Sequence, residues 1–155
     1  MSSLTIGSTL PDLNLAATDG EEIALGDLRG QKLVLFFYPK ANTPGCTREG
    51  QDFGDLHQAF VDAETRVFGV SRDGVKAQQN FKDKYAFPFT LLSDKDEALC
   101  QAFGVIKEKN MYGKKVMGVE RSTFLIDADG VIRQEWRGVK VDGHASAVLE
   151  ATRAL

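Results

Sequence analysis

Cysteine is scarce in this sequence. Its 155 residues include two cysteines, Cys46 and Cys100, which stand far apart along the chain. Two distant thiols cannot supply the set of disulfides that stabilises small secreted domains. The scarcity excludes a disulfide-based fold and directs attention to the chemistry of the thiols themselves.

Long hydrophobic runs and an excess of charge of one sign are also missing. The strongest apolar run, 33–38, is far shorter than the roughly twenty residues of a membrane-spanning helix, and the N-terminus lacks the basic-then-apolar pattern of a signal peptide. The 19 basic residues are scattered among 22 acidic ones, which leaves no positive stretch for the phosphates of a nucleic acid. We expect a soluble, cytoplasmic protein that binds neither membranes nor nucleic acid.

Internal repeats, low-complexity tracts and long linkers are absent as well. A chain of this length, with 43% hydrophobic and 26% charged residues, has the composition of one ordinary globular unit. We therefore expect residues 1–155 to form a single domain.

The hydrophobic pattern predicts strands that alternate with helices. The apolar run 33–38, bounded by Gly30 and Pro39, is typical of a strand buried on both faces in the interior of a sheet. Alternation along the chain, with antiparallel pairs near both ends, indicates an α/β protein with a thioredoxin-like fold, in which a central mixed sheet is flanked by helices on both faces. The predicted elements are a hairpin over 13–25, strands at 33–38, 66–71, 89–92, 122–126 and 131–136, and helices at 47–60, 75–85, 97–103 and 144–154.

Cys46 is the candidate for chemistry. It follows the predicted buried strand and the turn Thr43-Pro44-Gly45, at the point where a helix begins. Unpaired N–H groups and the helix dipole stabilise negative charge there, and so favour the reactive thiolate. The alternative is an ordinary buried cysteine that acts as a small hydrophobic side chain.

The residues around Cys46 resemble a known motif. Pro39-x-x-x-Thr43-x-x-Cys46 is similar to the active-site motif of the peroxiredoxins, and Arg121 stands where that family has a distant arginine. The resemblance extends from residue 7 to residue 136. It is closest to the peroxiredoxin Q or bacterioferritin comigratory protein subfamily, on the segments 43–47 and 106–109.

The resemblance implies an enzyme, a thioredoxin-dependent thiol peroxidase that reduces hydrogen peroxide and organic hydroperoxides. It implies that Cys46 attacks one peroxide oxygen, that Thr43 hydrogen-bonds the peroxide and that Arg121 stabilises the thiolate and the transition state. Pro39 would shield the thiolate from water. Glu49 stands where the family has a carboxylate or amide that positions the arginine.

A resolving cysteine, which related proteins use to reduce the oxidised nucleophile, is missing from its usual positions. Those positions hold Gln51 and Lys82, and the remaining thiol, Cys100, lies beside Leu99 and near Phe103, as expected for core packing. The alternative is that Cys100 itself resolves the sulfenic acid. We expect a one-cysteine cycle in which the sulfenic acid is reduced by thioredoxin, glutaredoxin or a low-molecular-weight thiol. Relatives of this kind imply a monomer or weak dimer.

No cofactor or metal is expected. His57 and His144 lack the companions of a zinc site, and we expect both on the surface. The lysines at 107, 109, 114 and 115 indicate a solvated loop rather than a binding patch.

Two other functions are compatible with the same fold. A thiol-disulfide oxidoreductase would use Cys-x-x-Cys, whereas Thr43 occupies the first of those positions here. A binding or holdase module would carry Cys46 only incidentally. Loss of hydroperoxide in a turnover assay separates both from a peroxidase.

Overall fold

The computed structural model describes residues 3–155, with the backbone alone at Met111. These residues form nine strands and five helices. The strands are β1 (Asn14–Ala17), β2 (Glu22–Ala24), β3 (Lys32–Phe37), β4 (Thr65–Ser71), β5 (Thr90–Ser93), β6 (Ile106–Met111), β7 (Lys114–Val119), β8 (Ser122–Ile126) and β9 (Ile132–Arg137). The helices are α1 (Pro44–Asp55), α2 (His57–Asp62), α3 (Val75–Tyr85), α4 (Ala98–Phe103) and α5 (His144–Ala154).

Seven strands form one mixed sheet in the order β2-β1-β5-β4-β3-β8-β9. β3, β4 and β5 are parallel, because helices α1 and α2 connect the first pair and α3 connects the second, whereas the other neighbours are antiparallel. β3 lies between β4 and β8, in the interior of the sheet, as its apolar sequence predicts. The prediction of a mixed sheet is confirmed.

Side chains of β3 alternate between two hydrophobic cores. Val34 and Phe36 face a core that also holds residues of α1, α2, α3 and α5, whereas Leu35 and Phe37 face a core that holds residues of α4. Successive side chains of a strand point to opposite faces of its sheet. Helices therefore cover both faces, as predicted, with four on one face and one on the other.

The prediction of a single helix over 47–60 is wrong in two respects: the helix begins earlier, and it is divided into α1 and α2. α1 begins earlier, at Pro44, because proline fits the first turn of a helix, where its missing N–H costs no hydrogen bond. The backbone leaves helical geometry at Leu56, with φ −98° and ψ 4°, and α2 follows at once. Both pieces pack on the same core, with the rings of Phe53 and Phe60 5.9 Å apart.

The predicted solvated loop around 107–115 is instead a hairpin. β6 and β7 pair as a separate two-stranded sheet, with Tyr112 and Gly113 in the turn at positive φ. The hydrophobic pattern of the sequence does not indicate this hairpin, because polar residues, among them exposed lysines, interrupt the alternation of apolar and polar residues in both strands. β7 leads through Glu120 directly to Arg121.

Candidate active site

Cys46 lies in the first turn of α1, just beyond the end of the interior strand β3. Thr43 is the N-cap residue, and Cys46 is the third residue of the helix. The thiol-bearing residue is 1% exposed. The N–H groups of Gly45 and Cys46 have no partner within the helix, since the first turn lacks preceding carbonyls. These donors lie where negative charge on sulfur or on a bound oxygen is stabilised.

Arg121, the residue just before β8, reaches Cys46. β3 and β8 are antiparallel with Phe37 opposite Ser122, which brings Arg121 to the end of β3 from which the chain enters the α1 turn. Its Nη2 lies 3.5 Å from Cys46 Sγ. The sheet register therefore brings together two residues that are 75 positions apart in sequence.

Glu49 holds the other side of the same guanidinium. Arg121 Nη1 donates a hydrogen bond of 2.7 Å to Glu49 Oε1. Glu49 is buried, and its Oε2 has no hydrogen-bond partner among the described residues. Burial raises the pKa of Glu49 to about 7, although the charge of Arg121 opposes the change. Burial alone would lower the pKa of Arg121, but the neighbouring Glu49 and Cys46 outweigh this effect and raise it.

Gly45 leaves room for this contact. A Cβ atom at Gly45 would lie 3.0 Å from Arg121 Nη2. Because real Cβ atoms rarely come so close to a neighbour, a side chain at this position would require the guanidinium to shift by a few tenths of an ångström. The sequence indicated only a turn residue here, since nothing in the local pattern shows that a distant arginine passes over this position.

Thr43 and Pro39 lie in the connection between β3 and α1, and both are half-buried. The hydroxyl of Thr43 makes no capping hydrogen bond to α1. It donates instead to the carbonyl oxygen of Lys40, at 2.8 Å. The oxygen of Thr43 therefore keeps its lone pairs available to accept a further hydrogen bond.

His144 is buried, so the prediction of a surface histidine is wrong at this position. Its Nε2 lies 2.7 Å from Thr123 Oγ1, and its ring meets those of Phe53 and Trp136 edge-on. Burial, with the charge of Arg121 as a second cause, lowers the pKa of His144 to about 4. The long-range packing of α5 against α1 and β9 hides an imidazole that looks exposed in the sequence. His57 is partly exposed.

Cys100 lies in α4, in the core on the opposite face of the sheet from Cys46. It is fully buried, and its backbone N–H donates to Asp94 Oδ2 at 2.7 Å. Burial, together with Asp94, raises the pKa of the Cys100 thiol. Gln51 is exposed, and Lys82 pairs with Asp19 at 2.6 Å.

The described residues contain neither a cluster of metal ligands nor a helix that could span a membrane. Histidine, cysteine and carboxylate side chains nowhere cluster in threes as a metal ion would require, within the part of the chain that the structure covers. Over the same residues, every helix is too short or too polar to cross a membrane.

Comparison with known proteins agrees with the geometry. The sequence profile of the AhpC/TSA family matches residues 6–135. The peroxiredoxin Bcp of Xanthomonas campestris is 55% identical over 143 residues, which are 92% of this chain and 89% of the relative. A putative peroxiredoxin of Coxiella burnetii is 50% identical over 147 residues, 95% of this chain and 97% of the relative.

A solved structure shows the same likeness in three dimensions. The bacterioferritin comigratory protein of X. campestris, studied for its alkyl peroxide reduction activity, superimposes with a TM-score of 0.91 at 52% identity. The match covers 97% of this chain and 96% of that one. The chain therefore belongs to the AhpC/TSA family, the peroxiredoxins, and is a thiol peroxidase.

Proposed function

We propose that Cys46 is the nucleophile that attacks the peroxide. The observation that carries this proposal is the contact between Arg121 Nη2 and Cys46 Sγ, at 3.5 Å, in the first turn of a helix. A guanidinium and a helix N-terminus both favour the thiolate over the thiol. Cys100 also lies in the first turn of a helix, but the N–H groups of Leu99 and Cys100 already donate to the Asp94 carboxylate, which disfavours a thiolate, and the residue is closed in the opposite core.

In the first half of the cycle, the sulfur of Cys46 attacks the terminal oxygen of a hydroperoxide. The S–O bond forms as the O–O bond breaks, and the leaving alkoxide or hydroxide takes up a proton to become an alcohol or water. Negative charge moves from sulfur to the leaving oxygen. Fixed donors that are already in place, namely Arg121 and the N–H groups of Gly45 and Cys46, stabilise that charge without reorganisation.

Three further residues support this step. Thr43 accepts a hydrogen bond from the peroxide O–H through the lone pairs that its contact with Lys40 leaves free. Pro39 covers the thiolate on the side of the β3 connection. Glu49 holds Arg121 through Nη1, so that Nη2 stays directed at sulfur.

In the second half, an external thiol reduces the sulfenic acid on Cys46. The thiol displaces hydroxide, which leaves as water, to form a mixed disulfide. A second external thiol then attacks the external sulfur, so that a disulfide between the two external thiols forms and Cys46 is released as a thiol. The positions of Gln51, Lys82 and Cys100 support a cycle without a resolving cysteine in the same chain. We propose thioredoxin, glutaredoxin or a low-molecular-weight thiol as the reductant.

The alkyl peroxide reduction activity of the X. campestris relative supports organic hydroperoxides, as well as hydrogen peroxide, as substrates. We further propose a cytoplasmic single-domain enzyme that works as a monomer or weak dimer, without a cofactor. These assignments rest on the resemblance to the peroxiredoxins and on the composition of the sequence.

Steady-state peroxide consumption tests the proposal. Hydrogen peroxide and tert-butyl hydroperoxide are each supplied with thioredoxin and its reductase, with glutaredoxin and glutathione, or with dithiothreitol. The expected result is turnover by the wild type and by Cys100→Ser, no turnover by Cys46→Ser, and a loss of about a hundredfold in Arg121→Lys, because a lysine cannot contact Cys46 and Glu49 together. Turnover by Cys46→Ser would contradict the assignment.

A further inference from the structure

The peptide unit between Lys40 and Ala41 is held from both sides. Its carbonyl, on Lys40, accepts the hydroxyl hydrogen of Thr43 at 2.8 Å. Its N–H, on Ala41, donates to Asp73 Oδ2, also at 2.8 Å. We propose that Asp73 is a positioning residue for the peroxidase reaction, which acts through this peptide on Thr43. The inference rests on the proposed role of Thr43.

Asp73 is itself fixed by its neighbours. Ser71 Oγ donates to Asp73 Oδ2 at 2.6 Å, and the backbone N–H of Asp73 donates back to Ser71 Oγ at 3.2 Å. Ser93 Oγ donates to the backbone carbonyl of Asp73 at 2.8 Å. The same carboxylate oxygen thus accepts hydrogen bonds from both Ser71 and Ala41. Its position is set by the ends of β4 and β5.

A buried polar network supports Ser71 from behind. Gln78 Nε2 donates to Ser71 Oγ and to the carbonyl of Leu92, each at 2.9 Å, and the hydroxyl of Tyr38 donates to Gln78 Oε1. Tyr38, Ser71 and Gln78 are fully buried. Since a buried polar group without a partner costs free energy, the side chains in this network have little freedom to change partners.

The consequence for Thr43 follows from its hydrogen-bonding capacity. A hydroxyl has one hydrogen to donate and two lone pairs to accept with. While the Lys40 carbonyl takes the hydrogen, the oxygen of Thr43 presents only lone pairs to a peroxide O–H. If the Lys40–Ala41 peptide rotates, its carbonyl moves away and the hydroxyl hydrogen becomes free to point at the substrate. Asp73 prevents that rotation by holding the N–H, and its negative charge polarises the peptide toward a stronger carbonyl acceptor.

A double-mutant cycle tests whether Asp73 acts through Thr43. The rate constant for oxidation of Cys46 by hydrogen peroxide is measured by stopped flow for the wild type, Asp73→Ala, Thr43→Val and the double variant. We expect Asp73→Ala to lower this rate constant about tenfold, the size of one lost charge-assisted hydrogen bond. In the Thr43→Val background, the same change should lower it by less than about twofold.

Alkylation of Cys46 by iodoacetamide is the second measurement. This reaction needs the thiolate and an open path, but no hydrogen bond from Thr43 to a peroxide. In Asp73→Ala, the rate of Cys46 alkylation should stay within about twofold of the wild-type rate. Asp73→Asn keeps an acceptor oxygen and should recover most of the rate of oxidation. Asp127→Ala is the matched control, because it removes a carboxylate that also accepts backbone N–H groups, at the turn between β8 and β9 and away from Cys46.

The outcomes separate this inference from the proposed function. If Thr43→Val alone oxidises at the wild-type rate, the proposed role of Thr43 fails. If Thr43→Val is slow but Asp73→Ala costs the same factor in both backgrounds, Asp73 does not act through Thr43. An equal loss in alkylation, or in Asp127→Ala, would show a general loosening of the protein and would also overturn the inference. Should Asp73→Ala fail to fold, Asp73→Ser takes its place, since a serine is too short to reach Ala41.

Discussion

Cys46 and Cys100 lie in hydrophobic cores on opposite faces of the central sheet. A disulfide requires the two Cα atoms to lie within about 7 Å, and an intact sheet separates these two residues. Neither thiol can reach the other unless the fold opens. In the proposed cycle, the oxidised form of Cys46 therefore persists until a thiol arrives from outside the chain.

The first prediction concerns that oxidised form. One equivalent of hydrogen peroxide, added to the reduced protein, should give a sulfenic acid on Cys46 that dimedone traps, as measured by mass spectrometry. Cys100→Ala should form the same adduct in the same yield. Peptide mapping that recovers a Cys46–Cys100 disulfide in high yield would rule out the one-cysteine cycle.

The second prediction concerns Gly45. Gly45→Ala should lower the rate constant for peroxide by up to about tenfold, because the new Cβ requires Arg121 Nη2 to shift by a few tenths of an ångström. The melting temperature should stay level or rise, since alanine is a better helix former than glycine by about 1 kcal/mol. Stopped-flow oxidation measures the rate constant, and thermal unfolding measures the melting temperature.

Gly54→Ala is the matched control for Gly45→Ala. Gly54 lies in the same helix, and a Cβ there would meet only Pro88 Cδ, at an ordinary 3.4 Å. This variant should show a similar gain in stability and full activity. Equal loss of activity in both variants would mean that helix flexibility, rather than the position of Arg121, explains the effect.

The third prediction follows from the pKa of Glu49, about 7 in the folded chain against an ordinary value of 4.5. Between these pH values the folded state holds a proton that the unfolded state has lost. The free energy of unfolding therefore falls as pH rises through this window, by up to roughly 3 kcal/mol. Glu49→Gln removes this contribution, so its stability relative to the parent should improve from pH 5 to pH 8.

Urea unfolding at pH 5 and pH 8 measures this difference, with Cys46→Ser as the parent of both proteins. A stability difference that stays constant between the two pH values would mean that Glu49 is already ionised at pH 5. It would leave Arg121 with a permanent carboxylate partner.

The fourth prediction concerns His144, whose pKa is lowered from 6.5 to about 4. Between these values the unfolded chain binds a proton that the folded chain excludes. The stability that His144 contributes is therefore present above pH 6.5 and is lost as pH falls toward 4. His144→Gln, which keeps a polar atom near Thr123, should flatten this acid slope in urea unfolding measured from pH 7 to pH 4.

His57→Gln serves as the control for His144→Gln, because His57 is only partly buried. Burial lowers the His57 pKa too, but the variant should leave most of the slope intact. A slope that disappears equally in both variants, or that survives in His144→Gln, would show that His144 is not the buried neutral histidine responsible.

The sequence by itself determined the local elements. Helices α3 and α5 begin and end at the predicted residues, because their apolar spacing is a property of the segment alone. The apolar run of β3 and the turn before Cys46 were equally readable, and they place a thiol at the start of a helix. The hairpin of β6 and β7 was missed because its strands carry many exposed lysines.

Only the tertiary structure decided what surrounds that thiol. Arg121 was assigned from a family resemblance, and its contact with Cys46 depends on the register of β3 against β8. The roles of Gly45 and Asp73 and the burial of His144 follow from contacts between elements that are distant along the chain. Such contacts leave no periodic signal in the sequence, since each depends on how several elements pack together.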